Sequence, residues 1–354
     1  MLTNVKKFRI LLFVVKWSVG LVGLGRIPVT DEITSSSLVR TVIIKRAVIH
    51  VISSFFVHKN LEGKVLNMEN TWVYQGSEPI KIKKYLQSLG MGHRLFNDLK
   101  NGEGEFLVDH RQVRPTTQIL PHQPLTVKAQ PEPADESVAV SNEQLNIVYE
   151  DNNWLVVDKP AGISSIPGPT ILNGTVLNRV KGYLLSSGSA DLRPHLITRL
   201  DRFTGGLLLV AKHHIASSMI SQQVQQHKMI KEYMALVEGS LTDKHGEINK
   251  PIARREGKIA RVIAKDGQRA LTEYWVEKQE DNWTQVRVRL HTGRTHQIRV
   301  HFASIGHPLI GDHLYGGDTS KYDHQLLHAS KISFMDPFTL KQLTFTSAMP
   351  AVFN

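Results

Sequence analysis

Two short stretches concentrate the side chains that could do chemistry. His195-Leu196-Ile197-Thr198-Arg199-Leu200-Asp201-Arg202 sets a carboxylate two residues from one guanidinium and next to another. Gly293-Arg294-Thr295-His296-Gln297-Ile298-Arg299-Val300-His301 supplies two more guanidiniums and two imidazoles. An ionised carboxylate can attack as a nucleophile or remove a proton, and a neighbouring arginine favours its charged form. Each residue also has an ordinary reading. An isolated Asp201 would cap a loop before an apolar strand, and Arg299 on a helix would more often touch phosphate or join a surface ion pair. The 17 histidines invite a metal. His291, His296 and His301 recur every five residues and His213 adjoins His214, whereas helical metal pairs usually sit four apart with an acidic partner at suitable spacing. No metal is therefore expected. The absence of cysteine removes thiolate zinc sites, iron–sulfur clusters, disulfide scaffolds and cysteine nucleophiles.

The elements that must position these residues follow from periodicity. From Ile80 the apolar positions Ile82, Tyr85, Leu86 and Leu89 predict a helix stopped by Gly90, with a second helix over about 93–100. Strands are expected around 105–108 and 125–127. This small α/β module carries Lys81, Lys83, Lys84, Arg94 and Lys100, which alone would be a solvated basic face. Residues 130–143, rich in Pro and acidic side chains, read as a linker. Beyond it, 154–157, 207–210, 231–237, 271–276 and 286–290 read as strands, with helices over 215–226 and 298–305. The run Leu207–Val210 has the continuous apolar character of a strand buried on both faces. Strands mixed with a few helices, without regular alternation, predict an α+β domain built on a mixed, largely antiparallel sheet.

Of 354 residues, 43 are Lys or Arg and 32 Asp or Glu, a formal charge of +11 that suggests a polyanionic partner. The first 70 residues hold ten basic and four acidic side chains, so more than half of the excess lies there. Their apolar run from Ile10 to Leu24 is short for a membrane span and is broken by Lys16. Gly20, Gly23 and Gly25 lack the spacing of a dinucleotide fingerprint. Residues 1–67 are expected to be an extension outside the folded domains, with a natural start at Met68, and a peripheral membrane anchor is the alternative.

Asp201 and Arg299 acquire sharper roles from a resemblance. The stretch ending Arg199-Leu200-Asp201 resembles the catalytic signature of the RluA family of RNA pseudouridine synthases, and Gly293–His301 is similar to that family's second signature. Its continuation is present as Gly306-His307-Pro308-Leu309 and Gly311-Asp312-His313-Leu314-Tyr315-Gly316, and its opening as Val156-Val157-Asp158-Lys159-Pro160-Ala161-Gly162. The resemblance runs from about Leu145 to Pro350. It implies Asp201 as the catalytic carboxylate, Arg299 as its partner and Tyr233 as an active-site ring that stacks on uracil and assists the final proton removal. It further implies Arg199 in the gap left by a flipped base, Leu327 in the base pocket, and Arg294 and His296 in contact with substrate. Residues 68–129 resemble the ribosomal-protein-type RNA-binding module that precedes this domain, so the expected division is 1–67, 68–129, 130–143 and 144–354.

Three departures from the family pattern stand out: Asp109-His110 for Asn-Gly, His122-Gln123-Pro124 where Gly-Asp is usual, and Phe203-Thr204-Gly205-Gly206 for Asp-Thr-Ser-Gly. The implied protein is a cytoplasmic, monomeric isomerase needing no cofactor, without membrane contact, that modifies RNA. Ribosomal RNA is favoured over transfer RNA. The competing readings are a non-catalytic RNA-binding assembly factor and a nucleosidase that releases the base.

Overall fold

The structure, a computed structural model, describes residues 68–353. The extension expected over 1–67 lies outside the described residues, and among those described no helix is long and apolar enough to cross a membrane. Strands β1 (Met68–Val73), β3 (Gly104–Val108), β4 (Arg111–Val113) and β6 (Pro124–Ala129) form an antiparallel sheet in the order β1-β6-β3-β4. Two helices, α1 (Ile82–Ser88) and α2 (His93–Asp98), accompany it, and Ile82, Leu86, Phe96, Phe106, Leu125 and Val127 fill the shared core. The first helix is shorter than its periodicity suggests. Ile80 and Lys81 instead form β2, paired with β5 (Gln118–Ile119). Gly90 ends the turn after α1 at φ +110°, and a Cβ there would stand 2.2 Å from the Met219 carbonyl oxygen.

The departures at the module's turns leave a tight hairpin. Asp109 and His110 both adopt positive φ (48° and 63°) between β3 and β4, the conformation that a two-residue primed turn requires. His122 is likewise left-handed, at φ 65°.

Residues 130–143 carry no regular secondary structure, but tertiary contacts fix their path. Lys181 donates to the carbonyls of Asp135 (2.7 Å) and Val138 (2.5 Å), Asn178 Nδ2 donates to Ala139 O (2.7 Å), and the Leu192 amide donates to Glu132 O (3.1 Å). The module is held too. Ile215 and Met219 of α4 (His214–Gln225) enter its core, and Trp72 Nε1 donates to Pro337 O (3.0 Å) while its ring stacks on Phe338.

The larger domain opens with β7 (Ile147–Glu150), β8 (Trp154–Lys159) and a helix that periodicity did not suggest, α3 (Val176–Ser186). A Thr175–Asn178 capping box starts α3. There follow β9 (His195–Leu196), β10 (Gly205–Ala211), α4, β11 (Ile230–Glu238) and β12 (His245–Asn249). A hairpin of β13 (Ile252–Arg254) and β14 (Arg261–Ile263) precedes β15 (Leu271–Gln279), β16 (Trp283–Leu290) and α5 (Gln297–Ala303). Last come β17 (Leu327–Met335) and β18 (Gln342–Thr346).

The sheet runs β12-β15-β16-β11-β17-β10-β8-β7, with β18 on β17 and β9 on β10. Among the described strands only β10 and β17 pair in parallel, so the sheet is mixed and largely antiparallel, as expected. Every residue of β10 is buried. Leu207 and Leu209 join one apolar cluster and Leu208 and Val210 another, the two-faced burial that its unbroken apolar run predicts. At its start Gly206 (φ +102°) lies so close to Ala329 that a Cβ would meet the carbonyl oxygen at 2.3 Å.

Candidate active site

Asp201 sits in the loop between β9 and β10, and a turn from the other side of the chain clamps that loop. Ser165 Oγ donates to Leu200 O (2.7 Å) and accepts from the Leu200 amide (3.0 Å). The Gly162 amide donates to Arg202 O (2.9 Å). Lys159, only 1% exposed, sends its ammonium to the carbonyls of Arg202 (3.0 Å), Pro160 (3.0 Å) and Ile163 (2.9 Å). Burial pushes this lysine's pKa down to about 8, against the attraction of Asp201 and Asp158. Ser165 thus fixes the backbone before the candidate carboxylate and the Lys159-Pro160-Ala161-Gly162 turn the backbone after it.

Arg299 reaches Asp201 from α5. The start of that helix is set by buried Gln297, whose Oε1 accepts from Thr292 Oγ1 (2.7 Å) and the Arg294 amide (3.0 Å), while its Nε2 donates to Leu271 O (3.0 Å). Arg299 Nη1 donates to Asp201 Oδ2 at 3.2 Å. Its other edge is held bidentately by Asp312, Nε to Oδ2 at 2.6 Å and Nη2 to Oδ1 at 2.8 Å. The Asp312 side chain is fully closed to solvent and that of Arg299 is 8% exposed. One guanidinium therefore bridges two carboxylates, one sealed and one facing the cleft. The fork geometry of arginine makes this possible where a lysine could not.

His296, the residue before α5, adopts a left-handed conformation (φ 56°) that turns its Nε2 toward Asp201 Oδ2 at 3.8 Å. Its Nδ1 lies 3.0 Å from the Tyr315 hydroxyl, whose oxygen accepts the Arg261 amide at 2.7 Å. We assign the Tyr315 O–H as donor to Nδ1, which leaves the Nε2–H facing Asp201. Burial lowers the His296 pKa, opposed by the charge of Asp201.

All seven residues selected from the sequence line one cavity of about 620 Å³: Arg199, Asp201, Tyr233, Arg294, His296, Arg299 and Leu327. A family model described as RNA pseudouridylate synthase matches residues 153–304. The RNA pseudouridine synthase YjbO of Bacillus subtilis is 36% identical over 270 residues, spanning 76% of this chain and 95% of its own. Ribosomal large subunit pseudouridine synthase D of Vibrio cholerae is 34% identical over 264 residues, 70% of this chain and 81% of that one. The chain belongs to the RNA pseudouridine synthases. A solved human protein, RNA pseudouridylate synthase domain containing 1, shares the fold at a TM-score of 0.50 and 24% identity, over 60% of this chain and 88% of that one. The synthase is an isomerase acting on RNA.

The rest of the cleft divides by charge. Tyr233 on β11 is 8% exposed, and burial together with the Asp201 charge drives its phenol pKa well above the usual value. It enters any reaction at neutral pH as a phenol, so its oxygen cannot act as a standing base. Leu327 begins β17 beside it in the same apolar cluster. Arg294, also in the lining, is anchored through Nε to Arg269 O (3.1 Å), and Lys231, two residues before Tyr233 on β11, lines the wall with its pKa lowered by burial. Burial and the nearby Lys231, Arg294 and Arg269 lower the pKa of His227. Arg199 is exposed at the cleft.

The three histidines spaced five residues apart disperse in three dimensions. His291 bonds Glu273 (2.8 Å), His296 faces Asp201, and buried His301 bonds Thr272 Oγ1 (2.9 Å) and Lys250 O (2.9 Å). Sequence reasoning missed Asp312, Lys159 and Tyr315 as parts of the site, although all three lie in quoted motif segments. Composition gives no role to a buried aspartate; only its contact with Arg299 does.

Proposed function

We propose that Asp201 is the catalytic group of this synthase and that its target is ribosomal RNA. One observation carries the reading: a cleft-facing carboxylate is held by a guanidinium that is itself locked from behind by a sealed carboxylate. A target uridine leaves its stack at a cost of about a few kcal/mol and enters the cavity, with Arg199 occupying the vacated place. The Asp201 carboxylate then attacks the sugar carbon as a nucleophile or removes a sugar proton. The glycosidic bond breaks with its electron pair staying on N1 of uracil, which turns within the pocket between Tyr233 and Leu327. The uracil C5 then bonds to the sugar carbon as the Asp201–sugar bond breaks, or as Asp201 returns the sugar proton, and the carboxylate is regenerated. The C5 proton leaves through the Tyr233 phenol, which takes it up only as its own proton passes to water, and N1 gains a proton in return. Lys231 and Arg294 contact the RNA backbone, and the basic residues of 68–129 add affinity.

Ribosomal RNA is favoured because relatives such as the Vibrio cholerae protein are named for the ribosomal large subunit. On this reading the synthase works in the cytoplasm as a monomer, and transfer RNA is the alternative substrate. Mapping pseudouridine in cellular RNA after deletion and complementation tests the proposal. Wild type restores defined sites and Asp201→Ala restores none while still binding RNA. Equal restoration by both proteins overturns the catalytic assignment. Release of free uracil would instead mark a nucleosidase.

A further inference from the structure

Away from the cleft, three segments distant in sequence bring Glu132, the nearby pair Asp191 and His195, and His214 together. One donor atom each of Glu132, Asp191 and His214 lies within 4.8 Å of the others. Three features of this cluster point to an ion. Asp191 is 5% exposed, yet its carboxylate accepts only the Glu132 amide (2.9 Å), and both histidines pair with Glu132 rather than with it. A buried carboxylate without a cation is costly, and here a second carboxylate stands beside it. His214 Nδ1 is enclosed and has no hydrogen-bond partner, although it stands 3.4 Å from Glu132 Oε2. Two ligands each about 2.0–2.2 Å from a tetrahedral zinc lie roughly 3.4 Å apart, so that edge already has the dimension of a coordination site. Finally, His195 Nε2 bonds Glu132 Oε2 at 2.5 Å, the type of outer contact that orients a ligating carboxylate.

We propose that Glu132, Asp191 and His214 bind one divalent cation, with zinc the best match to two carboxylates and an imidazole, and that His195 positions Glu132 toward it. Water completes the coordination. The two carboxylates neutralise the ion and outweigh the positive end of α4, where His214 is the first residue. The role is structural. Glu132 belongs to the segment joining the two folded parts, Asp191 to the connection after α3, and His214 to the helix whose Ile215 and Met219 enter the core of the basic module. A bound ion would staple that segment to the larger domain and fix where the module stands. The spacing of His213 and His214 gives no hint of this, because the acidic partners arrive from elsewhere in the chain.

The test uses the full chain, purified without a tag, stripped with chelator and titrated with zinc alone against a competing chelating dye. One equivalent is expected to bind saturably, raising the melting temperature by about 5 °C at saturation. Asp191→Asn, close to isosteric, and His214→Ala are each expected to weaken zinc binding at least about tenfold. Circular dichroism of the metal-free variants checks that they fold. Cobalt substitution adds a readout independent of stability, since a tetrahedral nitrogen–oxygen site gives characteristic visible bands that both variants should lose. Absence of saturable binding, or binding retained by both folded variants, overturns the proposal. In that case the cluster is a set of polar contacts centred on Glu132 with no ion-binding role.

Discussion

Replacing Asp312 by Asn tests whether the sealed carboxylate acts on the reaction through Arg299. Asp312 accepts two guanidinium hydrogens at 2.6 and 2.8 Å with no solvent access. Asn offers one oxygen to that edge and presents an amide N–H₂ to the other nitrogen, so one bond is lost and donor faces donor. Breaking one side of a buried ion pair costs about 3–5 kcal/mol of stability. The guanidinium then rotates, and the 3.2 Å bond to Asp201 loosens. Loss of that charge-assisted bond, about 1.5–3 kcal/mol, lowers the single-turnover rate by roughly 10- to 150-fold. Stability is read from urea unfolding, and rate from pseudouridine formation at saturating RNA. Phe334→Leu, a truncation in the core cluster containing Trp154 and Leu207, serves as a destabilised control whose rate should stay at the wild-type value. RNA binding by Asp312→Asn should be preserved. If the folded Asp312→Asn protein turns over at the wild-type rate, or if only KM changes, Asp312 is a stabilising residue and the coupling through Arg299 is wrong.

Lys159→Met should expose a pH signature. The folded ammonium titrates at about 8 against 10.5 for an ordinary lysine. Between those values the unfolded chain holds the extra proton, so wild-type stability relative to the variant rises with pH, by roughly 3 kcal/mol in all. Paired urea titrations across that window measure it, and a gap that does not change with pH would refute the burial argument. Tyr233→Phe keeps the ring and should keep RNA affinity while slowing turnover about a hundredfold or more. Because burial and Asp201 hold the phenol protonated, no Tyr233 ionisation should shape the wild-type rate across neutral pH. Equal rates for Tyr and Phe would remove the hydroxyl from the mechanism. Tyr315→Phe cuts the link from the Arg261 amide to His296 and should cost about 1 kcal/mol of stability. Nitrogen shifts of the His296 ring report whether its tautomer changes, and an unchanged tautomer would dissociate Tyr315 from that ring.

Local chemistry was legible in the sequence. The run 207–210 announced a doubly buried strand, and alternation at Val286, Val288 and Leu290 announced β16, because burial on a strand follows a period of two. Helix α3 escaped because its signal is a Thr175–Asn178 cap and a mixed face rather than a strong apolar stripe. The segment 130–143 reads as a linker and has no helix or strand, but its ordering depends on Lys181, Asn178 and Leu192. No inspection of a Pro-rich stretch can supply those partners.

The same division holds at the site. By itself the sequence supplied the candidate set: Asp201 and Arg299 stand in two quoted motif segments, and Tyr233 follows from the family resemblance. It also determined that no thiol takes part. Only the tertiary structure decided how that set is held: Asp312 locking Arg299, Lys159 pinning the Asp201 loop, and Tyr315 aiming His296. It likewise dispersed the evenly spaced histidines and gathered Glu132, Asp191 and His214 from three separate places. The physical reason is common to all these cases. A side chain's type is fixed by its codon, but its charge, tautomer and direction are fixed by neighbours that only folding brings within hydrogen-bonding distance.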